Sequence, residues 1–216
     1  MNFLAHCLLA DQASNNASTT HASTQPSALN GLLAGAVIGD FVKGPISEEW
    51  PIPLQHGVQL HRKVDALSNR NIHTKLACDH FPPSLRRYAP IYLDLLADYH
   101  LSHRWSQLHS EPIEEFAQRS YAAINSFQAY LSPQGRRFYD YLVEQSLFTN
   151  YHQWIHIERA IHSIMRRLKK TDLTDEAVAT CADLRIPTEA HCISLIQDLQ
   201  RQVEIWQPQS TKYKVL

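Results

Sequence analysis

Pro53-Leu54-Gln55-His56-Gly57-Val58-Gln59-Leu60-His61-Arg62-Lys63-Val64-Asp65-Ala66-Leu67-Ser68 is the stretch whose reading decides the fold. Leu54, Val58, Leu60, Val64 and Leu67 roughly trace one apolar side of a helix, while His61 and Asp65 form a row of their own. Two potential ligands four residues apart on a helix point at the same spot. On either side the pattern stays helical. Asn2 is a cap residue for a helix running to about Ala13, and a second helix spans roughly Ala28 to Ile38. Gly39, Gly44 and Pro45 break the chain around Asp40.

Downstream, Pro82-Pro83 stops a short helix that begins near Asn71, and the next, Ser84 to Trp105, is expected to kink at Pro90. Pro112 and Pro133 each open a helix, the first extending to about Leu131. Helical patterns follow over Thr149 to Lys170, Leu173 to Leu184 and Pro187 to Trp206. No strand alternation and no Asn-Gly hairpin occurs. The expectation is an all-α chain forming a single compact helical domain over residues 1–216. Its one irregular part is the Ser/Thr/Asn/Ala-rich segment from Gln12 to Ser27, which reads as a flexible surface loop.

A chain of 216 residues is long enough to bury one sizeable core. A net charge of −1 supplies no global field for nucleic acid. Cys7, Cys78, Cys181 and Cys192 form no CxxC pair, and nothing marks the chain as secreted. The longest apolar run, Leu32 to Phe41, contains Asp40 and falls short of the roughly 20 residues a membrane span needs. A soluble cytoplasmic protein with reduced thiols is expected.

The 13 histidines are the unusual count, and several lie beside acids. Asp94-Leu95-Leu96-Ala97-Asp98 repeats the i,i+4 spacing inside a largely apolar run, where two like charges repel and are costly to desolvate unless a cation compensates. Asp40 ends an apolar helix, and His6 lies within Phe3-Leu4-Ala5-His6-Cys7-Leu8. Each element has a bland counterpart: a surface hydrogen bond for His61/Asp65, a turn carboxylate for Asp40, a satisfied core histidine for His6. Taken together, ligand-type residues recurring on apolar helix faces point to one shared metal site that activates water. Arg62 and Lys43, next to His61 and Asp40, are candidates for holding phosphate. Arg86-Arg87, Arg136-Arg137 and Arg166-Arg167-Leu168-Lys169-Lys170 are solvated faces or a docking surface for an acidic partner. They lack interleaved stacking aromatics, which argues against nucleic acid.

At these residues the chain resembles the acyl carrier protein phosphodiesterases. The matching pieces are Asn2-Phe3-Leu4-Ala5-His6, Gly39-Asp40-Phe41-Val42-Lys43-Gly44, Leu60-His61-Arg62-Lys63-Val64-Asp65, Arg86-Arg87-Tyr88-Ala89-Pro90-Ile91, and Leu93-Asp94 with Asp98. A fainter match continues through Tyr151 and Met165-Arg166-Arg167. The resemblance implies an HD-domain-like helical fold and dependence on a divalent metal, Mn²⁺ before Mg²⁺ or Fe. The implied reaction is hydrolysis of the phosphodiester joining 4′-phosphopantetheine to a serine of holo-acyl carrier protein. It implies His6, Asp40, His61, Asp65, Asp94 and Asp98 as metal ligands or their supports. Asp65, Asp94 and Arg62 are then the catalytic candidates, Lys43 and Arg62 the phosphate holders, and Arg86, Arg87, Arg166 and Arg167 the docking candidates for the carrier protein.

The chain departs from the family pattern at Asp98-Tyr99, where Asp-His is usual, and at Asn69, where an aspartate is usual. A step of one residue rotates a helical side chain by about 100°, so His100 does not simply replace the missing histidine. Three alternatives follow. One is a related phosphohydrolase acting on a different small phosphoester. Another is an all-α prenyl diphosphate enzyme using Asp94 and Asp98. The third is a helical binding protein whose catalysis has drifted away.

Overall fold

The structure is a computed structural model that describes residues 3–20 and 26–208. Leu4, Ala5, Cys7, Leu8, Leu9, Ala10 and Ala13 are all buried, on every side of α1 (Phe3–Thr20). A helix apolar all round runs through an interior rather than along a surface, and α1 does so. In chain order it is followed by α2 (Pro26–Ile38), α3 (Ile52–Arg70), α4 (Ile72–Cys78) and α5 (Ala89–His103). Next come the single turn α6 (Trp105–Leu108), α7 (Ile113–Ser126), α8 (Pro133–Glu144) and the single turn α9 (Leu147–Asn150). The last two are α10 (Trp154–Arg167) and the long α11 (Thr174–Glu204). Each of these helices contributes side chains to one continuous apolar core, and no strand occurs among the described residues. The chain is all-α, as its periodicity predicts. No helix among the described residues is long and apolar enough to cross a membrane.

Element boundaries differ from expectation where local signals were overridden. Residues 12–20, expected in a loop, continue α1, because Asp11, Ala13 and Ser14 are buried against the fold. Residues 21–25 of that expected loop lie outside the described residues. Pro90 does not kink a helix; it sits in the first turn of α5, where its missing N–H costs nothing. Pro187, expected to separate two helices, lies inside α11 on its exposed side. Cys181, Cys192, Leu195, Ile196 and Leu199, before and after it, are buried in the same core and carry the helix through. The expected helix from Thr149 to Lys170 is divided, with a turn between α9 and α10.

Polar groups hold the ends of the buried α1. Asp98 on α5 is completely buried and accepts hydrogen bonds from the backbone N–H of Leu4 and of Ala5, each at 2.9 Å. These are among the donors that a helix N-terminus leaves without intrahelical partners, so Asp98 caps α1 from another helix. Burial pushes its pKa up to about 7, against the pull of the two amides. Farther along α1, the buried Asp11 receives Arg119 Nη1 at 2.7 Å and His109 Nε2 at 3.2 Å, and Arg119 also pairs with Glu111.

The closest helix contact is between α2 and α3. Gly31, Gly35 and Gly39 repeat every four residues along one helix, and Pro53, Gly57 and His61 do so along the other. A Cβ on Gly35 would lie 2.3 Å from the backbone carbon of Gly57, and one on Gly31 would lie 2.3 Å from Pro53 Cβ. Only a missing side chain permits this approach.

Two expectations follow for stability. Gly57→Ala forces a methyl into the backbone of α2 and should cost about 3 kcal/mol in denaturant unfolding. Asp11 has its pKa lowered: burial opposes ionisation, but the hydrogen bonds from His109 and Arg119 outweigh it. Its contribution is therefore full above the unfolded value of about 4 and lost as pH falls through the lower folded value. His109 is raised, chiefly by its bond to Asp11, so its contribution is full below about 6.5 and lost as pH rises through the folded value. Asp11→Asn should thus destabilise most, by about 2 kcal/mol, between about pH 4 and 6.5, and less on either side, in unfolding curves recorded across that range.

Candidate active site

The glycine contact delivers His61 to its place. A Cβ on Gly39 would lie 2.5 Å from His61 Cγ, so the imidazole lies directly against the end of α2. There its Nδ1 donates to the carbonyl of Ala36 at 2.9 Å. A neutral imidazole that gives its Nδ1–H to a carbonyl keeps a lone pair on Nε2. That Nε2 faces Asp65 Oδ2 at 3.3 Å, one helical turn along α3.

His6 arrives on α1 from the other side. Its ring stacks on that of His61, centroids 4.0 Å apart and planes 17° apart, and its Nε2 lies 3.0 Å from Asp65 Oδ1. Both histidines are buried, 3% and 5% exposed, whereas Asp65 is only half-buried. Burial first, then the neighbouring His61, lowers the pKa of His6 to about 3, and the bond to Asp65 pulls the other way. Burial opposes ionisation of Asp65, but the neighbouring imidazoles, His6 first and then His61, prevail and hold its carboxyl well below the usual range. One ligand atom from each of His6, His61 and Asp65 falls within 4.8 Å of the others. Two imidazoles and a carboxylate at this spacing form a set able to hold a divalent cation.

Beside them opens a cavity of about 550 Å³. Asp40 and Asp94 are on its wall, with Phe3, Phe41, Ile91, Leu95, Phe138 and Tyr151 making much of it apolar. Asp40 is exposed and Asp94 half-buried. Burial raises the pKa of Asp94, and the charges of Asp65 and Asp40 add to that, so the three carboxylates lie within electrostatic reach of one another. The same cavity is lined by His156, Arg159, Ser163 and Arg167 of α10. His156 is buried, its Nδ1 has no hydrogen-bond partner, and burial with the nearby Arg159 depresses its pKa.

Of the residues singled out in the sequence, His6, His61 and Asp65 meet, with Asp40 and Asp94 on the adjoining wall. Asp98 supports the set from behind: both its oxygens are engaged by the amides that open the helix carrying His6. Arg62 is not brought to the cavity. One step from His61 on the helix turns it away, and it donates to the carbonyls of Val42 at 3.2 Å and Gly44 at 2.6 Å. It therefore fixes the loop that follows Asp40. Lys43 donates to the Asp40 carbonyl at 3.3 Å and lines a second hollow next to the cavity. Arg86 is taken up by the carbonyls of Asp79 and Phe81, and Arg87 lies over the Tyr88 ring. The two departures from the family pattern lie outside the set. Tyr99 packs edge-on against Trp154, and Asn69 is exposed at the end of α3.

His156 and Arg159 were missed. The signal was present, since His156, Arg159, Ser163 and Arg167 follow i, i+3, i+7, i+11 spacing and so form one polar stripe along the helix.

The profile of the family described as acyl carrier protein phosphodiesterase matches residues 1–199. Among curated relatives, acyl carrier protein phosphodiesterase of Enterobacter sp. (strain 638) is 29% identical over 173 residues, covering 80% of this chain and 81% of the relative. Proteins of the same name from Klebsiella pneumoniae (strain 342) and Escherichia coli O9:H4 (strain HS) are each 28% identical over the same shares. No solved structure matches. With the matched segment carrying all of His6, Asp40, His61, Asp65 and Asp94, the chain belongs to the acyl carrier protein phosphodiesterase family.

Proposed function

We propose that this protein is a divalent-metal-dependent phosphodiesterase that releases 4′-phosphopantetheine from a serine of holo-acyl carrier protein, leaving the apo-protein. The observation that carries the reading is the convergence of His6, His61 and Asp65 beside a cavity walled by Asp40 and Asp94. The donor set fits a cation on chemical grounds. With Nδ1–H of His61 given to Ala36, a lone pair on Nε2 confronts a carboxylate oxygen, and that pairing needs a proton or a cation between the two. Imidazole with carboxylate and no thiolate suits Mn²⁺, or Mg²⁺ or Fe. His6, His61 and Asp65 would hold the ion, with Asp40 and Asp94 completing its surroundings from the cavity side. When bound, it supplies polarisation of a phosphoryl oxygen and a lowered pKa for water.

The remaining work belongs to the chain's own side chains. Arg159 and Lys43 offer positive charge to the phosphate, Arg159 from the cavity wall and Lys43 from its rim. Phe3, Phe41 and Phe138 pack in a row along the cavity and keep bulk water from its wall. In the reaction a water oxygen bonds to phosphorus, the bond from phosphorus to the serine Oγ breaks, and that oxygen takes up a proton. Asp94, on the cavity wall, is the candidate donor: it would take the proton that the attacking water gives up and pass it to that oxygen. The four cysteines are unpaired, which supports the cytoplasm as the compartment.

Purified protein incubated with Mn²⁺ and holo-acyl carrier protein should convert the carrier to its apo mass, and chelation should stop the conversion. Persistence of the holo mass, with a relative from the same family active alongside, would remove the reading. His61→Ala and Asp65→Asn should each lower Mn²⁺ affinity at least about tenfold in equilibrium dialysis and cut the rate by about 10³ or more, with the helical circular dichroism spectrum retained.

A further inference from the structure

The chain's arginines divide into two groups. Arg62, Arg86, Arg104, Arg119, Arg136, Arg185 and Arg201 are each hydrogen-bonded or ion-paired within the protein, and Arg87 is stacked on Tyr88. Among the described residues, no side-chain hydrogen bond, ion pair or ring contact within the chain engages Arg70, Arg137, Arg159, Arg166 or Arg167. Three of these five, Arg137, Arg159 and Arg167, gather at one place. Arg159 and Arg167 line the cavity, while Arg137 lines the second hollow together with Lys43 and Arg167. The two hollows share Asp40, Phe41, Gln134 and Arg167, so they form one continuous depression that these cations line.

We propose that the rim formed by Lys43, Arg137 and Arg167 is the docking surface for the carrier protein, which it recognises by negative charge around the modified serine. The inference rests on the phosphodiesterase reading above and fixes where the macromolecular part of that substrate sits. Charge complementarity carries it. Arg137 and Arg167 are exposed and have no side-chain partner within the chain, so they contribute nothing to folding by pairing, and with Lys43 they line the hollow that adjoins the cavity the modified serine must reach. Phe41 and Phe138 lie within the ring, giving an apolar centre and a charged rim, the anatomy of a protein-binding patch. The Arg86-Arg87 cluster competes poorly, because both side chains are occupied in their own loop.

The test is steady-state kinetics with holo-acyl carrier protein, paired with fluorescence anisotropy of labelled apo-carrier binding to the full chain. Arg137→Glu and Arg167→Glu should each raise KM about fivefold or more, exceeding any change in kcat, and weaken apo-carrier binding in parallel. Added salt should lower kcat/KM steeply for the parent protein and much less for the double variant. Arg70→Glu, an exposed charge reversal at the end of α3, should leave both readouts unchanged. Turnover by the parent with KM and anisotropy unaltered in the two rim variants overturns the docking surface and leaves the activity standing. Absence of turnover alongside charge-dependent binding of apo-carrier retains the surface and removes the activity. Absence of both removes both.

Discussion

The close approach of α2 and α3 is the constraint from which the site follows. With no side chains at Gly35 and Gly57, the backbones touch, and that contact lets the last turn of α2 reach the His61 ring. Two consequences follow at once. The Ala36 carbonyl comes within hydrogen-bonding range of His61 Nδ1 and selects the tautomer, and the Gly39 backbone limits how the ring can turn. The direction of the Nε2 lone pair is thus set by helix packing rather than by a flexible side chain. Asp40, the residue immediately after Gly39, is carried to the cavity wall by the same contact. The metal-ligand role proposed for these residues would need this kind of support, because ligands must be held in orientation as well as supplied.

The second imidazole depends on a different device. His6 lies deep in α1, and a helix buried on all sides must satisfy its end groups with partners from the protein. Asp98 does so at the N-terminus, while Asp11 with Arg119 and His109 ties the helix to α7 and the loop before it. Both carboxylates are buried, and each is costly without its partners. The arrangement links stability to function: the cap that fixes the axial position of α1 also fixes the height at which His6 stacks on His61.

Much of this was legible in the sequence. The 3.6-residue periodicity gives the helical class, and the i,i+4 row of His61 and Asp65 becomes a real shared direction. The second i,i+4 pair shows the limit of such reasoning. Asp94 and Asp98 share a face, yet one borders the cavity while the other meets the amides of α1, a distinction made by a helix ninety residues away in the chain. Arg62 was read as a neighbour of His61 in sequence, but neighbours on a helix diverge by about 100°, and it went to a loop instead. Pro187 carries a local instruction to break that the packing of α11 overrides. The repeat of glycines at 31, 35 and 39 was visible, but its partner at Gly57 becomes meaningful only once the two helices are side by side.

The electrostatics separate into an acidic interior and a basic entrance. Asp40, Asp65 and Asp94 gather where a cation would offset their mutual repulsion, and the pKa of Asp94 is raised by burial first, with the charges of Asp65 and Asp40 adding to it. Lys43, Arg137 and Arg167 are exposed and line the adjoining hollow. An anionic phosphodiester approaching such a site meets attraction first from the rim, then repulsion from the carboxylates unless a divalent ion has already reversed the local sign. On the proposed metal-dependent reading, the geometry that makes the carboxylates expensive on their own would make phosphate binding conditional on the cation. His6, His61 and Asp65 would then form the centre of the site, and Arg137 and Arg167 its approach.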